Sequence, residues 1–218
     1  MSLTIKEQSD QLKAASAQRM PAELGSIFTR DHEARRAQGP PSDAVAAGDV
    51  LEDFTLPDAT GKDISLSQLV AGGPAVLVFY RGGWCPFCNL ALHQYQSELV
   101  PRLARYGATL AAISPQKPDE SLTTAEKHDL QFAVLSDAGA RVARRLGVAF
   151  EPAEDVLKAQ LTLGLDISQG NAEGSTDLPM PTVLVVDSNR TVRFADVQAD
   201  YTSRTEVTEI LAALDRLD

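Results

Sequence analysis

Two cysteines are all that the 218 residues carry, and they stand three positions apart as Cys85 and Cys88. So few thiols exclude a disulfide-stapled scaffold, which needs more cysteines at wider spacings. In a reducing compartment a lone close pair points to thiol chemistry or to a metal. A surplus of positive charge is also missing. Twenty Lys and Arg face 30 Asp and Glu, and the net charge of −10 argues against a nucleic-acid surface. No apolar run reaches membrane-spanning length, and the polar opening from Ser2 to Arg19 lacks a signal-like apolar core, so no membrane association and a cytoplasmic location are expected. Repeats and low-complexity tracts are absent too. What is present, 44% hydrophobic residues, suffices for one core of about 150 residues plus extensions.

Residues 1–44 are expected to form an N-terminal helical extension and linker, and residues 45–218 the folded domain. The extension is poor in large apolar groups. Leu24, Ile27 and Phe28 make one short stripe, and Pro21 suits the first turn of a helix. Alternation around Phe54 and Leu56, the turn Asp58–Gly61, and alternation at Ile64 and Leu66 read as a hairpin. Pro74–Tyr80 is almost wholly apolar, as a strand covered on both faces requires. A helix from Pro86 to about Tyr106 follows, with Pro101 expected to kink it. Strands are expected at 109–114 and 132–135, with a polar helix around Ser121–His128 between them. A helix capped near Asp137 comes next, then an inserted helix and loop at 150–178. Two late strands, 182–187 and 191–197, flank the turn Ser188–Arg190. The last helix is expected to open on Ser203 and Glu206 in capping-box spacing. Strand–helix alternation ending in a hairpin and a helix gives an α/β sandwich with a mixed sheet.

The thiols fall where a strand meets a helix. Cys85 takes the N-cap and Pro86 the first helical position. A side chain at an N-cap can accept from the next backbone N–H groups, and the helix dipole favours negative charge there, so the expected thiolate is Cys85. Arg81 would reinforce it if its side chain turned to the sulfur. Cys88, one turn further in, is expected to be the more buried thiol that resolves the pair. A zinc half-site and structural thiols are the competing readings. Zinc needs four ligands, and His32, His93 and His128 are scattered rather than paired at ligand spacing. Trp84 reads equally as packing or as a shield for Cys85. Pro181, opening a late strand, would expose backbone beside the thiols if its peptide bond were cis.

Trp84-Cys85-Pro86-Phe87-Cys88 at such a junction, with Pro181-Thr182 before a late strand, resembles the thioredoxin superfamily. Asp53–Leu56 with Gly61, Val78–Trp84, Ile113-Ser114, Val134–Asp137 and Asp200-Tyr201-Thr202 with Arg204 resemble its alkyl hydroperoxide reductase/thiol-specific antioxidant branch over roughly residues 45–216. The resemblance implies a thioredoxin-like fold with a central mixed β-sheet and helices on both faces. It implies a peroxiredoxin-like enzyme reducing hydroperoxides or disulfides by cycling Cys85 and Cys88, with Arg81, Trp84, Pro181 and Arg204 binding or activating the substrate. A thioredoxin- or glutathione-type reductant and a homodimer are expected with it, and no cofactor or metal.

Two departures accompany the resemblance. Phe79 stands where thioredoxins place a buried acid, and Met180 where peroxiredoxins carry an activating arginine, leaving Arg81 or Arg204 to substitute. The two patterns also disagree on the nucleophile: the thioredoxin register selects Cys85, and the peroxiredoxin register puts Cys88 in the peroxidatic place. A sensing or protein-interaction module with little turnover is the alternative from another class.

Overall fold

The computed structural model describes residues 3–127 and 129–217; His128, which the sequence puts at a helix end, lies outside them. Thr4 accepts from the Glu7 N–H at 3.1 Å while Glu7 accepts from the Thr4 N–H at 2.8 Å, a reciprocal cap that opens α1 (Ile5–Arg19). After Pro21 comes α2 (Ala22–Gln38). Neither helix has a broad apolar face. Instead α1 docks through Ile5 and Leu12, and through Glu206, whose carboxylate accepts from the Ile5 and Lys6 N–H groups at 3.1 and 2.8 Å.

The expected hairpin is β1 (Thr55–Pro57) paired antiparallel with β2 (Asp63–Ser65), followed by the short α3 (Leu66–Leu69). The apolar run forms β3 (Ala75–Phe79), buried at every position. β4 (Thr109–Ser114) pairs parallel with it, and β5 (Ala133–Ser136) pairs parallel with β4. A two-residue pairing of β6 (Ala149–Phe150) with β7 (Leu178–Pro179) brackets the inserted region. On the other side of β3 lies β8 (Thr182–Val186), antiparallel, with β9 (Val192–Val197) at the edge, so the order is β5-β4-β3-β8-β9. This is the mixed sheet of a thioredoxin-like fold.

Alternation along β3 divides the interior. Val76, Val78 and Tyr80 face the layer built by α4 (Pro86–Gln94) and the C-terminal helix, whereas Ala75, Leu77 and Phe79 face the hairpin layer. Phe79 is therefore on the far side of the sheet from α4, and Tyr80 is on the near side. Each fully buried side chain of this size contributes about 1.5–3 kcal/mol.

Three sequence expectations change in detail. The helix from Pro86 does not merely kink at Pro101. It ends as α4 at Gln94, widens into a π-helical turn at Tyr95–Leu99, and resumes as α5 (Val100–Leu103). Proline cannot donate to a carbonyl one turn back and its ring crowds that carbonyl, so the wider turn before it relieves both. The polar helix begins earlier than expected, as α6 (Pro118–Lys127). Asp137 does cap α7 (Arg141–Arg145), accepting from Val142 and Ala143 N–H groups at 3.0 Å each. The inserted region holds α8 (Glu154–Thr162) and α9 (Ile167–Gly170). Finally, α10 (Val207–Leu214) opens on Glu206, whose N–H donates to Glu209 at 2.8 Å, and not on Ser203. Ser203–Thr205 are held out of the helix because Thr205 Oγ1 donates to Asp196 at 2.7 Å and Arg204 turns inward. No described helix is long and apolar enough to cross a membrane.

Glu206 thus holds the first turn of α1 against the start of α10. Glu206→Ala should destabilise the protein by about 0.5–2 kcal/mol, the usual cost of removing acceptors from a helix start. Urea denaturation checks this, and an unchanged midpoint would mean that α1 is held by its apolar contacts alone.

Candidate active site

The junction between β3 and α4 delivers both thiols. Tyr80 still bonds as strand, its N–H donating to the Ile113 carbonyl at 2.9 Å. Two glycines then thread the chain past its neighbours. Gly82 has φ +149°, and a β-carbon there would stand 2.5 Å from Trp84 Nε1; one on Gly83 would overlap the Thr124 hydroxyl. The Gly83 N–H donates to Gln116 Oε1 at 2.7 Å, and Asn89 Nδ2 donates to the Gly83 carbonyl at 2.8 Å. Cys85 becomes the N-cap of α4 and Pro86 its first residue.

The expected asymmetry of the thiols is reversed. Cys85 is not exposed: it and Cys88 are each 1% accessible, and they are not bonded to one another. Its sulfur makes no capping hydrogen bond to the helix. Burial is the largest influence on both thiols and opposes charge on each. At Cys88 it is outweighed by the Cys85 hydrogen bond, the Arg204 charge and the Arg81 backbone N–H, which hold that thiol well below its ordinary range. At Cys85, burial is reinforced by the bond to Cys88 and by its charge, and the thiol is pushed well above. Both sets of influences favour charge on Cys88 over Cys85. Helix-end reasoning did not include the cation nearest Cys88, Arg204, which lies 116 residues away in sequence.

That cation is closely held. Arg204 Nη2 donates to Cys88 Sγ at 2.9 Å and lies 3.8 Å from Cys85 Sγ, while Nη1 donates to the Tyr201 and Ser203 carbonyls at 2.6 Å each. Tyr95, buried in the π-helical turn, donates its hydroxyl to the Thr205 carbonyl at 2.7 Å and so fixes the next residue. Tyr80 lies buried beside Cys88, and burial pushes its phenol up to about 12, so it stays a neutral group. Cys88 and Arg204 share a void of about 10 Å³ with Tyr80, Tyr95, Pro181 and Thr182, at the lower limit for one water. Pro181 is thus beside the thiol as expected, but with a trans peptide bond, since no cis bond occurs among the described residues.

Arg81 is the larger of the two cationic influences on Cys85 and the smaller on Cys88. It stacks 4.9 Å from the Trp84 ring and 4.6 Å from the Tyr201 ring, 7% exposed. Tyr201 also meets the His32 ring at 5.2 Å and the Phe87 ring at 6.2 Å. His32, scattered in sequence, reaches this loop from α2, its Nε2 being 2.5 Å from Asp200 Oδ1. Burial opposes charge on Asp200, yet hydrogen bonds from Thr202 together with His32 hold its carboxyl at about 2. No single-residue signal marked that pairing in the sequence. His93 is exposed on α4. Among the described residues no three His, Cys, Asp or Glu side chains are grouped to hold a metal.

The AhpC/TSA family model matches residues 47–195. A Mycobacterium tuberculosis protein bearing the peroxiredoxin name is 35% identical over 104 residues, 48% of this chain and 67% of that one. Peroxiredoxin Bcp of Escherichia coli is 30% identical over 104 residues, 48% of this chain and 65% of that one. The chain thus spans about two thirds of the length of these relatives. The crystal structure of peroxidoxin BcpB from Mycobacterium tuberculosis superposes with a TM-score of 0.63 at 25% identity, over 80% of this chain and 99% of that one.

The Arg204 contact generates a titration test. Removing the cation favours the neutral thiol, so Arg204→Met should move the Cys88 titration upward in pH, with Arg204→Lys between the two. The ultraviolet absorbance of the thiolate reports it, and a titration that stays in place in Arg204→Met would remove Arg204 as the group that sets the charge.

Proposed function

The chain belongs to the AhpC/TSA family, and from that premise we propose that it is a thiol peroxidase reducing hydroperoxides through a Cys85/Cys88 dithiol–disulfide cycle. The observation that carries this reading is Arg204 Nη2 at 2.9 Å from Cys88 Sγ, a cation placed on one sulfur of a buried pair. Arg204 would supply the guanidinium that is missing at Met180.

The Cys88 thiolate attacks the terminal peroxide oxygen. The O–O bond breaks, Cys88 becomes a sulfenic acid, and the alkoxide or hydroxide leaves and takes a proton from water. Arg204, already against the sulfur, stabilises negative charge as it passes from sulfur to oxygen. Cys85 then attacks the sulfenic sulfur, water leaves, and the Cys85–Cys88 disulfide forms. A dithiol reductant of thioredoxin type, or two glutathione-type thiols, returns both residues to thiols. Cys85 lines a cavity of about 520 Å³ walled by α1, α2 and α8, and Cys88 does not, so the incoming thiol meets Cys85. Cys88, the more acidic thiol, is the better leaving group. A cytoplasmic location, where such thiols are kept reduced, suits the cycle. Family membership favours this catalytic reading over the sensing role.

The roles separate in single variants. Cys88→Ser should abolish hydroperoxide consumption. Cys85→Ser should complete one turnover and stop, leaving a sulfenic acid on Cys88 that dimedone labels and intact mass detects. Arg204→Met should lower the rate of peroxide reduction by about 10²–10³-fold, the usual loss when one charge-stabilising donor is removed. If Cys88→Ser consumed peroxide as fast as the wild type, Cys88 would not be the nucleophile.

A further inference from the structure

The segment Asp200–Glu206 joins the thiol pair to the N-terminal helices. At its middle, Arg204 Nη2 donates to Cys88 Sγ at 2.9 Å. At one end Asp200 is paired with His32 of α2, and at the other the Glu206 carboxylate accepts from the Ile5 and Lys6 N–H groups that open α1. Between them the Tyr201 ring meets the His32 ring at 5.2 Å and the Phe87 ring at 6.2 Å. Both helices line the cavity over Cys85, α1 through Ser16 and Ala17 and α2 through Phe28 and His32, and Cys85 beneath them is 1% accessible. Helices and segment alike lie outside residues 47–195, which the family model matches.

We infer that this segment is a redox latch: when Cys88 passes from thiolate to disulfide, Arg204 leaves the sulfur and releases α1 and α2 from over Cys85. The inference rests on the dithiol–disulfide cycle of the proposed function. In that cycle the Cys88 thiolate, the Cys85 thiol and a hydroperoxide give the S–S bond, an alcohol and hydroxide, so the negative charge departs from the sulfur as hydroxide. Arg204 is then a cation whose remaining hydrogen-bond partners are two uncharged carbonyls, those of Tyr201 and Ser203. Among the described residues no carboxylate pairs with it. A guanidinium among buried side chains is costly once its anion is gone. The residue as a whole is only partly buried, so an outward turn brings its charge to water. Such a turn breaks both carbonyl contacts and moves the chain between Asp200 and Glu206. Among what still holds α2 are the exposed pair Arg30–Asp155 and the Arg35 stack on Phe150, while α1 keeps Ile5 and Leu12. The roof therefore opens in the state in which Cys85 has a disulfide to present to an incoming thiol, and closes when the thiolate returns.

Hydrogen exchange of the full chain, read by mass spectrometry, tests the latch. Diamide, a thiol oxidant, makes the disulfide without any peroxide, and intact mass confirms it by the loss of two hydrogens. Amides of α1 and α2 should then exchange about tenfold or more faster than in the reduced protein, while those of β3 stay protected in both forms. Cys88→Ser removes the charge without making a bond, so under reducing conditions it should show the fast exchange of the oxidised wild type. Arg204→Met leaves no cation to expel, so its exchange should no longer differ between the reduced and oxidised forms.

Equal exchange of α1 and α2 in the reduced and oxidised wild type would overturn the inference. So would slow exchange in Cys88→Ser, since the sulfur charge would then not be what holds the helices, or a redox difference that persists in Arg204→Met. Failure of diamide to form the Cys85–Cys88 disulfide, seen directly in the intact mass, would overturn the cycle and the latch together. A protein that consumes no hydroperoxide would instead sink the peroxidase reading alone, and the diamide and Cys88→Ser comparisons would still decide the latch.

Discussion

The Arg204 guanidinium against the Cys88 sulfur is the contact around which the site is arranged. A buried charge is expensive unless a partner of opposite sign is fixed beside it. Here each member makes the other tolerable: Arg204 holds the Cys88 thiol in its charged form, and the sulfur charge in turn holds Arg204 protonated against its own burial. Such a pair works only if the cation cannot swing away. Two carbonyls of its own loop accept from Nη1, and the next residue, Thr205, is pinned through its hydroxyl to Asp196 and through its carbonyl by Tyr95. The anchor Tyr95 sits at the start of the π-helical turn that Pro101 imposes. A proline in the site helix thus helps to place a cation that arrives from the other end of the chain.

Cys85 gains its properties from the same contact. With a negative sulfur one turn away, it stays a neutral thiol, and it gives its hydrogen bond to that sulfur. The two thiols therefore differ in charge although their burial is equal. In the cycle proposed above, the peroxide reaction would need a charged attacker and the disulfide a good leaving group on reduction, and the more acidic Cys88 suits both roles. The Cys85 hydrogen bond and the Arg204 charge together favour negative charge on Cys88.

Much of this was legible in the sequence, and what was not has a common cause. Period-two alternation located the hairpin, an almost unbroken apolar run the central strand, and the turn Ser188–Arg190 the two late strands, because each is decided by neighbours along the chain. The strand-to-helix position of Cys85 and Pro86 was equally local. Arg204 could be singled out by resemblance, but nothing near Cys88 in sequence says that a residue 116 positions on will touch it. The same holds for His32 and Asp200, brought together only when α2 crosses the loop. Ser203 fits a capping box on paper. It loses that place because Thr205 and Arg204 are claimed by partners outside the helix, so the helix opens three residues later on Glu206.

The helices that wall the cavity are held in a different way from the sheet. The sheet is bound by side chains buried at every position of β3 and β8. The N-terminal helices bury few large groups and lean on polar attachments instead: Glu206 at the start of α1, His32 to Asp200, Arg30 to Asp155, and Arg35 stacked 3.9 Å from the Phe150 ring. An exposed ion pair such as Arg30–Asp155 contributes about 0–1 kcal/mol, so that attachment adds little. The wall over Cys85 is therefore the less firmly bound part of the molecule, while its floor is continuous with the best-packed part. That division keeps the arginine and the sulfur fixed and leaves local opening to the wall over Cys85.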